Sequence, residues 1–135
     1  MEKVTVTVGL TNRNYSAHVI IGDGIAVATG KTFEDLKNEM KSAVEFHLEG
    51  MREDGDEIPD VFLKPYQLVY QFDSESLLSH YKGIITNAAL ERLTGINRRQ
   101  LTHYASGLRK PRPLQRKKIE KALHRLGHEL LEVEL

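Results

Sequence analysis

The feature that most constrains this chain is a tight turn at residues 94–97, Thr-Gly-Ile-Asn, between two short amphipathic segments. Leu90 and Leu93 precede the turn at helical spacing, and Thr86 stands where a helix N-cap is needed. The glycine next to the centre of the turn is the residue type at which helices commonly end. The pattern predicts a short helix that stops at Gly95.

A second short helix is predicted directly after the turn. Asn97 can cap it, and Gln100 three residues later completes an Asn-x-x-Gln capping box. Leu101 and Tyr104 form its inner face, and we expect Tyr104 to lie in the core. Gly107 ends this helix, and two prolines soon afterwards prevent an immediate restart. Two short helices joined by a glycine-containing turn predict a helix-turn-helix, the motif that places its second helix in the major groove of DNA.

The outward positions of the second helix and the loop after it carry polar and basic side chains. Arg98 and Arg99 occupy the first turn, where an arginine can make bidentate bonds to guanine. Basic residues in the following proline-bounded loop are better suited to phosphates. The candidate DNA-binding residues are Asn97, Arg98, Arg99, Gln100, Thr102, His103, Arg109, Lys110 and Arg112. A further basic run at residues 117–121 is either a phosphate contact or a solvated face.

The net charge of zero conceals two oppositely charged halves. Residues 1–65 hold seven basic and twelve acidic side chains, a net charge of −5, and residues 66–135 have a net charge of +5 from twelve basic and seven acidic side chains. Between residues 82 and 125 twelve basic side chains face only Glu91 and Glu120. This segregation predicts two modules, of which the second binds a polyanion.

Composition narrows the class of protein. Hydrophobic residues make up 40% of the chain and charged residues 28%, which is typical of a globular domain. No apolar run approaches the roughly 20 residues of a membrane-spanning helix, and the N-terminus lacks a signal pattern. The chain has no cysteine, so it can form neither disulfides nor thiolate metal sites. We therefore expect a cytoplasmic protein without membrane contact.

The first half predicts a small sheet and one long helix. Residues 3–10 alternate as a half-buried strand, a turn at 11–14 leads to a second strand at 15–21, and residues 25–29 form a third. Thr32 caps an amphipathic helix over residues 33–51. An acidic loop over residues 52–65 leads to a fourth strand at 67–73. The fold class is thus α+β, with an antiparallel three- to four-stranded sheet.

The remaining chain, residues 74–135, is predicted to be an all-α helix-turn-helix domain. It adds a short helix at 74–81 and a third helix from about Leu114 to Leu126, which Gly127 ends. The tail over residues 129–135 fits either a terminal strand or a continued helix. The domain boundary is therefore placed between residues 73 and 74.

Short motifs in the first domain resemble the HicB family of antitoxins. They are residues 15–17 (Tyr-Ser-Ala), 23–24 (Asp-Gly), 26–32 (Ala-Val-Ala-Thr-Gly-Lys-Thr) and 33–36 (Phe-Glu-Asp-Leu). In that family the first domain is a partial RNase H-like fold that has lost catalysis and binds HicA, a small ribonuclease toxin. The resemblance covers most of residues 3–73. It implies a HicA-like toxin as a partner.

The second domain looks like a Cro/repressor-type helix-turn-helix over residues 84–126. The similarity is carried by residues 94–97 and 106–111 (Ser-Gly-Leu-Arg-Lys-Pro). That type usually has a small residue four positions before the turn glycine, where the helices touch, and here this residue is Glu91. Either Ala89 supplies the close approach instead, or the two helices cross at a wider spacing. The likeness implies a homodimer or higher oligomer that binds double-stranded DNA and represses its own operon. Its interface is expected in the first domain or in the C-terminal tail.

An enzymatic role is not expected. Two-metal hydrolysis needs converging carboxylates, and the first strand offers only valine and threonine at its centre. Asp23, Glu34 and Asp35 lie at turns and at a helix start, where capping explains them. We expect no catalytic site, metal site or cofactor. The alternative to a HicB-like antitoxin is a stand-alone homodimeric regulator whose first domain senses a ligand or dimerises.

Overall fold

The computed structural model describes residues 1–11 and 14–135, in which the chain forms a four-stranded sheet and five α-helices. The strands are β1 (Glu2–Thr11), β2 (Asn14–Ile21), β3 (Gly24–Gly30) and β4 (Tyr66–Phe72). The helices are α1 (Phe33–Asp54), α2 (Ser74–Tyr81), α3 (Asn87–Thr94), α4 (Arg98–Ser106) and α5 (Pro113–Leu131). The expected α+β class is confirmed. The chain divides into two compact units, Met1–Asp73 (the sheet unit) and Ser74–Leu135 (the helical unit).

The sheet is mixed, with the strand order β3-β2-β1-β4. The pairs β1–β2 and β2–β3 are antiparallel, but β4 pairs with β1 in parallel, from Glu2 opposite Tyr66 to Val8 opposite Phe72. The prediction of a wholly antiparallel sheet is therefore wrong. Strands β3 and β4 point the same way, and parallel strands need a long crossover, which α1 supplies. The predicted hairpin turn includes Asn12 and Arg13, which lie outside the described residues.

The core of the sheet unit follows from the alternation of β1 and the stripe of α1. The inward valines of β1 and the inner residues of α1 are almost completely buried, as predicted. They are Val4, Val6, Val8, Leu36, Met40, Val44 and Leu48. The start of α1 approaches the end of β3 so closely that a Cβ on Gly30 would lie 2.6 Å from the backbone nitrogen of Leu36. The backbone at the start of α1 therefore packs directly against the end of β3, with no room for a side chain at residue 30.

The boundaries of α1 are set by local hydrogen bonds. The Asp35 N–H donates to the Thr32 hydroxyl over 3.0 Å, which confirms the predicted N-cap. The helix ends at Gly55, whose φ of 74° is the left-handed conformation that favours glycine. The following loop is not wholly irregular, because residues Asp60–Phe62 form a 3-10 turn. Phe62 is 7% exposed and anchors this turn in the core, a role that the acidic character of the loop concealed.

The helical unit has a core of its own, to which α2, α3, α4 and α5 contribute. Its buried members are Leu78, Leu90, Ile96, Leu101, Tyr104 and Ile119. Helix α5 runs through Gly127 to Leu131, so the prediction that Gly127 ends it is wrong. Of the tail over residues 129–135, the first three residues continue the helix, and residues 132–135 form neither helix nor strand. A glycine inside a helix costs only about 1 kcal/mol relative to alanine, which neighbouring helix formers can offset. No described helix combines the length and apolar character needed to cross a bilayer.

Candidate nucleic-acid interface

The turn between α3 and α4 is held by a compact set of hydrogen bonds. Gly95 ends α3 with a φ of 77°, and its N–H donates to the Glu91 carbonyl over 2.8 Å. The Thr94 hydroxyl donates to the Leu90 carbonyl over 2.6 Å and accepts from the Ile96 N–H over 3.1 Å. Ile96 is only 4% exposed and anchors the turn in the core. These contacts fix the direction in which α4 leaves the turn.

The first turn of α4 is capped by Asn97, but not in the predicted way. The Asn97 side chain accepts a hydrogen bond from the Arg99 N–H over 2.7 Å, so the N-cap is confirmed. The Gln100 amide donates instead to the Tyr104 hydroxyl over 3.0 Å. The capping box expected from Gln100 is therefore absent. Tyr104 is 3% exposed, as expected of a core residue, and its hydroxyl one helical turn away competes successfully for the Gln100 amide.

Arg98 is paired with Glu91 across the turn. One carboxylate oxygen of Glu91 accepts from the Arg98 N–H over 2.9 Å. The other accepts from Nε over 3.2 Å and from Nη2 over 3.0 Å. The backbone N–H of Arg98, and after it the guanidinium, lower the pKa of the Glu91 carboxyl. The charge of the Arg98 guanidinium is therefore paired with Glu91 of α3, although the Arg98 side chain is still 62% exposed.

A second hydrogen-bonded link joins α3 to α4. The Asn87 side-chain amide donates to the Thr102 hydroxyl over 2.9 Å, and that hydroxyl donates to the Arg98 carbonyl over 2.9 Å. Sequence reasoning missed the positioning roles of Asn87 and Glu91. The sequence contained a signal for Glu91. An acidic residue stands where a small one was expected, and an arginine seven positions later lies on the other side of the turn.

His103 is less accessible than the sequence pattern suggests. Its side chain is half-buried, and within the described chain its Nδ1 is enclosed without a hydrogen-bond partner. The remaining ring edge is the part left for a contact. Helix α4 ends at Gly107, with a φ of 81°, and the Arg109 N–H donates back to the His103 carbonyl over 3.2 Å. This bond ties the start of the basic loop to α4.

The exposed cations of this region lie at the two ends of α4. Arg99 is exposed in its first turn, and Arg109, Lys110 and Arg112 are exposed in the loop after it. The nine residues of α4 span about 13 Å, so these charges flank the helix over a distance comparable to a DNA groove. In the described residues none of these four side chains forms a salt bridge. We call Asn97, Arg99, Thr102, Arg109, Lys110 and Arg112 the α4 surface.

The helical unit as a whole is positively charged, as is the surface around α4. Residues 74–135 contain twelve basic and six acidic side chains, a net charge of +6. Lys117 of the basic run on α5 pairs with Glu120 over 3.6 Å, and both side chains are largely exposed. Such an exposed pair is weak, so the run stays available to an anion. The helical unit therefore combines a net positive charge with exposed cations around α4.

No group of three or more His, Cys, Asp or Glu side chains in the described ranges converges in a way that could hold a metal ion. Comparisons of the chain with protein-family models, curated proteins and solved structures find no match. The geometry and charge of the α4 surface are therefore the features that bear on its function.

Proposed function

We propose that the helical unit binds duplex DNA as a helix-turn-helix, with α4 in the major groove. The observation that carries this proposal is the α4 surface. Its Arg99 is exposed, has no salt-bridge partner among the described residues, and lies in the first turn of a short helix whose direction is fixed by its turn. Recognition helices of this class read base edges from their N-terminal residues. The positive charge of the unit supplies the sequence-independent attraction that such binding requires.

The structure supports different roles for the basic side chains. Arg99 is the base reader, because its guanidinium has no partner within the described chain, whereas Arg98 is held by Glu91. A bidentate contact between arginine and guanine contributes about 1–3 kcal/mol of discrimination. Lys110 and its loop neighbours contact phosphates, which position the protein without reading the sequence. Asn97, Thr102 and the open edge of His103 lie along the same helix and complete the contact.

Single alanine variants test this division of roles. The wild-type protein first selects its preferred duplex from a random library, and affinities for that duplex and an unrelated one are measured by fluorescence anisotropy. Arg99→Ala should weaken binding to the selected duplex about 5- to 150-fold and affect the unrelated duplex much less. Lys110→Ala should weaken both alike and reduce the salt slope by about one. Arg98→Ala should cost less discrimination than Arg99→Ala.

The control is Arg52→Ala, the same chemical change at an exposed site of the sheet unit. It should leave both affinities unchanged. If Arg99→Ala binds like Arg52→Ala, or weakens binding equally on every duplex, Arg99 is not a base reader. If the wild-type protein selects no duplex and does not bind DNA at low salt, the DNA-binding proposal fails.

We further propose that the chain is a cytoplasmic, HicB-like antitoxin that neutralises a small basic ribonuclease and represses its own operon. Two features support this, besides the family resemblance. Residues 1–73 have seven basic and thirteen acidic side chains, and a ribonuclease must present a positive surface to RNA. The sheet unit also has a groove of about 920 Å³, whose acidic lining residues are Asp23, Asp54, Asp56, Glu57 and Asp60. This groove would receive the basic toxin.

Co-expression with the small basic protein encoded beside its gene tests this second proposal. The two chains should co-elute, and the pair Asp56→Lys and Glu57→Lys should abolish co-elution. The pair Glu34→Lys and Glu39→Lys, at exposed positions of α1 outside the groove, serves as the charge-matched control and should retain the partner. If no neighbour is encoded or none co-elutes, the stand-alone regulator becomes the better account of the same DNA-binding unit.

A further inference from the structure

Strand β3 is an edge of the sheet and lacks the charges and prolines that commonly protect such a strand. Natural edge strands are blunted by charges, prolines or bulges, because a bare edge pairs with other chains. The seven residues of β3 contain no charge and no proline. On the face of the sheet away from α1, Ile25 is 54% exposed and Val27 is 65% exposed. Ile20, the β2 neighbour of Ile25, is 69% exposed and enlarges this apolar patch.

The opposite edge of the sheet has a different character. In β4 the residues Gln67 and Gln71 are exposed, and a proline directly precedes the strand. Polar side chains on an outer face are the ordinary arrangement for a sheet with one solvated side. The contrast between the two edges within one sheet indicates that the apolar character of β3 is specific to that edge.

The sequence of β3, Gly-Ile-Ala-Val-Ala-Thr-Gly, is nearly the same in both directions about Val27. In an antiparallel pair of two copies centred on Val27, each valine faces its symmetry mate. Ile25 then faces Thr29, so that β-branched residues meet on the outer face, where cross-strand pairs of this kind are favourable. Ala26 faces Ala28 on the inner face. No charge meets a like charge in this register.

The α1 side of the sheet also has an exposed aromatic side chain close to the start of β3. Phe46 is 79% exposed and lines the same groove as Gly24, the first residue of β3. The ring of His47, its neighbour, lies 2.8 Å from where a Cβ on Gly24 would be, so this side of α1 lies over the start of β3.

We propose that β3 pairs antiparallel with β3 of a second copy of this chain, centred on Val27, and joins two four-stranded sheets into one. The self-complementary sequence of the strand favours a second copy over an unrelated partner. Such an isologous contact has a twofold axis, the symmetry that a homodimeric DNA-binding protein needs. The pairing itself does not depend on DNA binding, and its tests contain no DNA.

Cysteine cross-linking tests the register, because the chain has no cysteine of its own. In the proposed pairing the two copies of residue 27 have Cα atoms about 4.5–5.5 Å apart, within the range of a disulfide. Val27→Cys should therefore form a covalent dimer under mild oxidation. Ile25→Cys, the matched exposed control, should not, because the two copies of residue 25 are offset by about 13 Å along the strands. A mixture of Ile25→Cys and Thr29→Cys should cross-link.

Sedimentation equilibrium tests the dimer without cross-linking. The wild-type protein should have the mass of a dimer at micromolar concentration, and Val27→Lys should shift it to a monomer. Gln71→Lys places the same charge on the outer face of the other edge strand and should stay dimeric. Circular dichroism confirms that all three are folded. A monomeric wild-type protein, a dimeric Val27→Lys, or equal cross-linking of Val27→Cys and Ile25→Cys would each overturn the proposal.

Discussion

Replacing Asn97 with alanine should destabilise the helical unit, because α4 loses its N-cap and no capping box from Gln100 takes its place. The Asn97 side chain accepts from the Arg99 N–H over 2.7 Å and satisfies one free donor at the start of α4. Loss of an asparagine N-cap costs about 0.5–2 kcal/mol. Gln100 does not replace it, since its side chain is directed to Tyr104, to whose hydroxyl its Nε2 donates. For a unit of about 60 residues, a loss of 1 kcal/mol lowers Tm by roughly 4–8 °C.

Thermal unfolding followed by circular dichroism measures this loss. Thr86→Ala is the matched control, because Thr86 caps α3 through one hydrogen bond of 3.0 Å from the Ala89 N–H. Both variants should lower the melting temperature by similar amounts. Only Asn97→Ala should also weaken DNA binding beyond the effect of lost stability, because Asn97 belongs to the α4 surface and Thr86 does not.

A double-mutant cycle distinguishes the two capping arrangements. The losses of free energy from Asn97→Ala and Gln100→Ala should add, because the two side chains share no hydrogen bond. Gln100→Ala and Tyr104→Phe should couple, because each removes one end of the same hydrogen bond. Coupling between Asn97 and Gln100, with none between Gln100 and Tyr104, would show that the capping box forms and that the reasoning is wrong.

Two further predictions concern the Glu91 carboxylate and the glycines of the sheet unit. Because Arg98 lowers the pKa of Glu91, its stabilising effect should be complete above the ordinary glutamate pKa and disappear as the pH falls through the lower folded-state value. The difference in melting temperature between wild type and Glu91→Gln should therefore shrink on acidification, and a difference that persists would contradict this. Gly30→Ala should lower stability to urea by about 1–3 kcal/mol, because its Cβ would meet the Leu36 backbone. Gly50→Ala in α1 should raise stability by about 0.5–1 kcal/mol, since nothing lies within 4 Å of its Cβ; equal effects would refute this comparison.

Local patterns in the sequence were sufficient to predict most of the elements. The alternating valines of β1 and the apolar stripe of α1 carry their own periodicity. The N-caps at Thr32, Thr86 and Asn97 depend on residues only two or three positions away. Glycines with positive φ end α3 and α4 at Gly95 and Gly107, as their spacing predicts. Each of these features is decided within one or two turns of chain.

The features that could not be predicted depend on distant or competing partners. The direction of β4 follows from the path of α1 over the sheet, not from the composition of the strand. Gln100 had two possible partners within reach, and the buried position of Tyr104 decided between them. The pairing of Arg98 with Glu91 required the angle between α3 and α4. The prediction that Gly127 ends α5 gave too little weight to the helix-forming residues on either side of it.

Chemical-shift mapping of the full chain with duplex DNA tests the central claim most directly. Amide signals are followed by NMR at low salt, where non-specific binding is tighter than the about 1–100 µM typical of physiological salt. The largest chemical-shift changes should fall on residues 97–103 and 107–112, and the signals of the β-strands should not change. If the strands or α1 shift most, or if no signal moves at saturating DNA, the α4 surface is not a DNA-binding site.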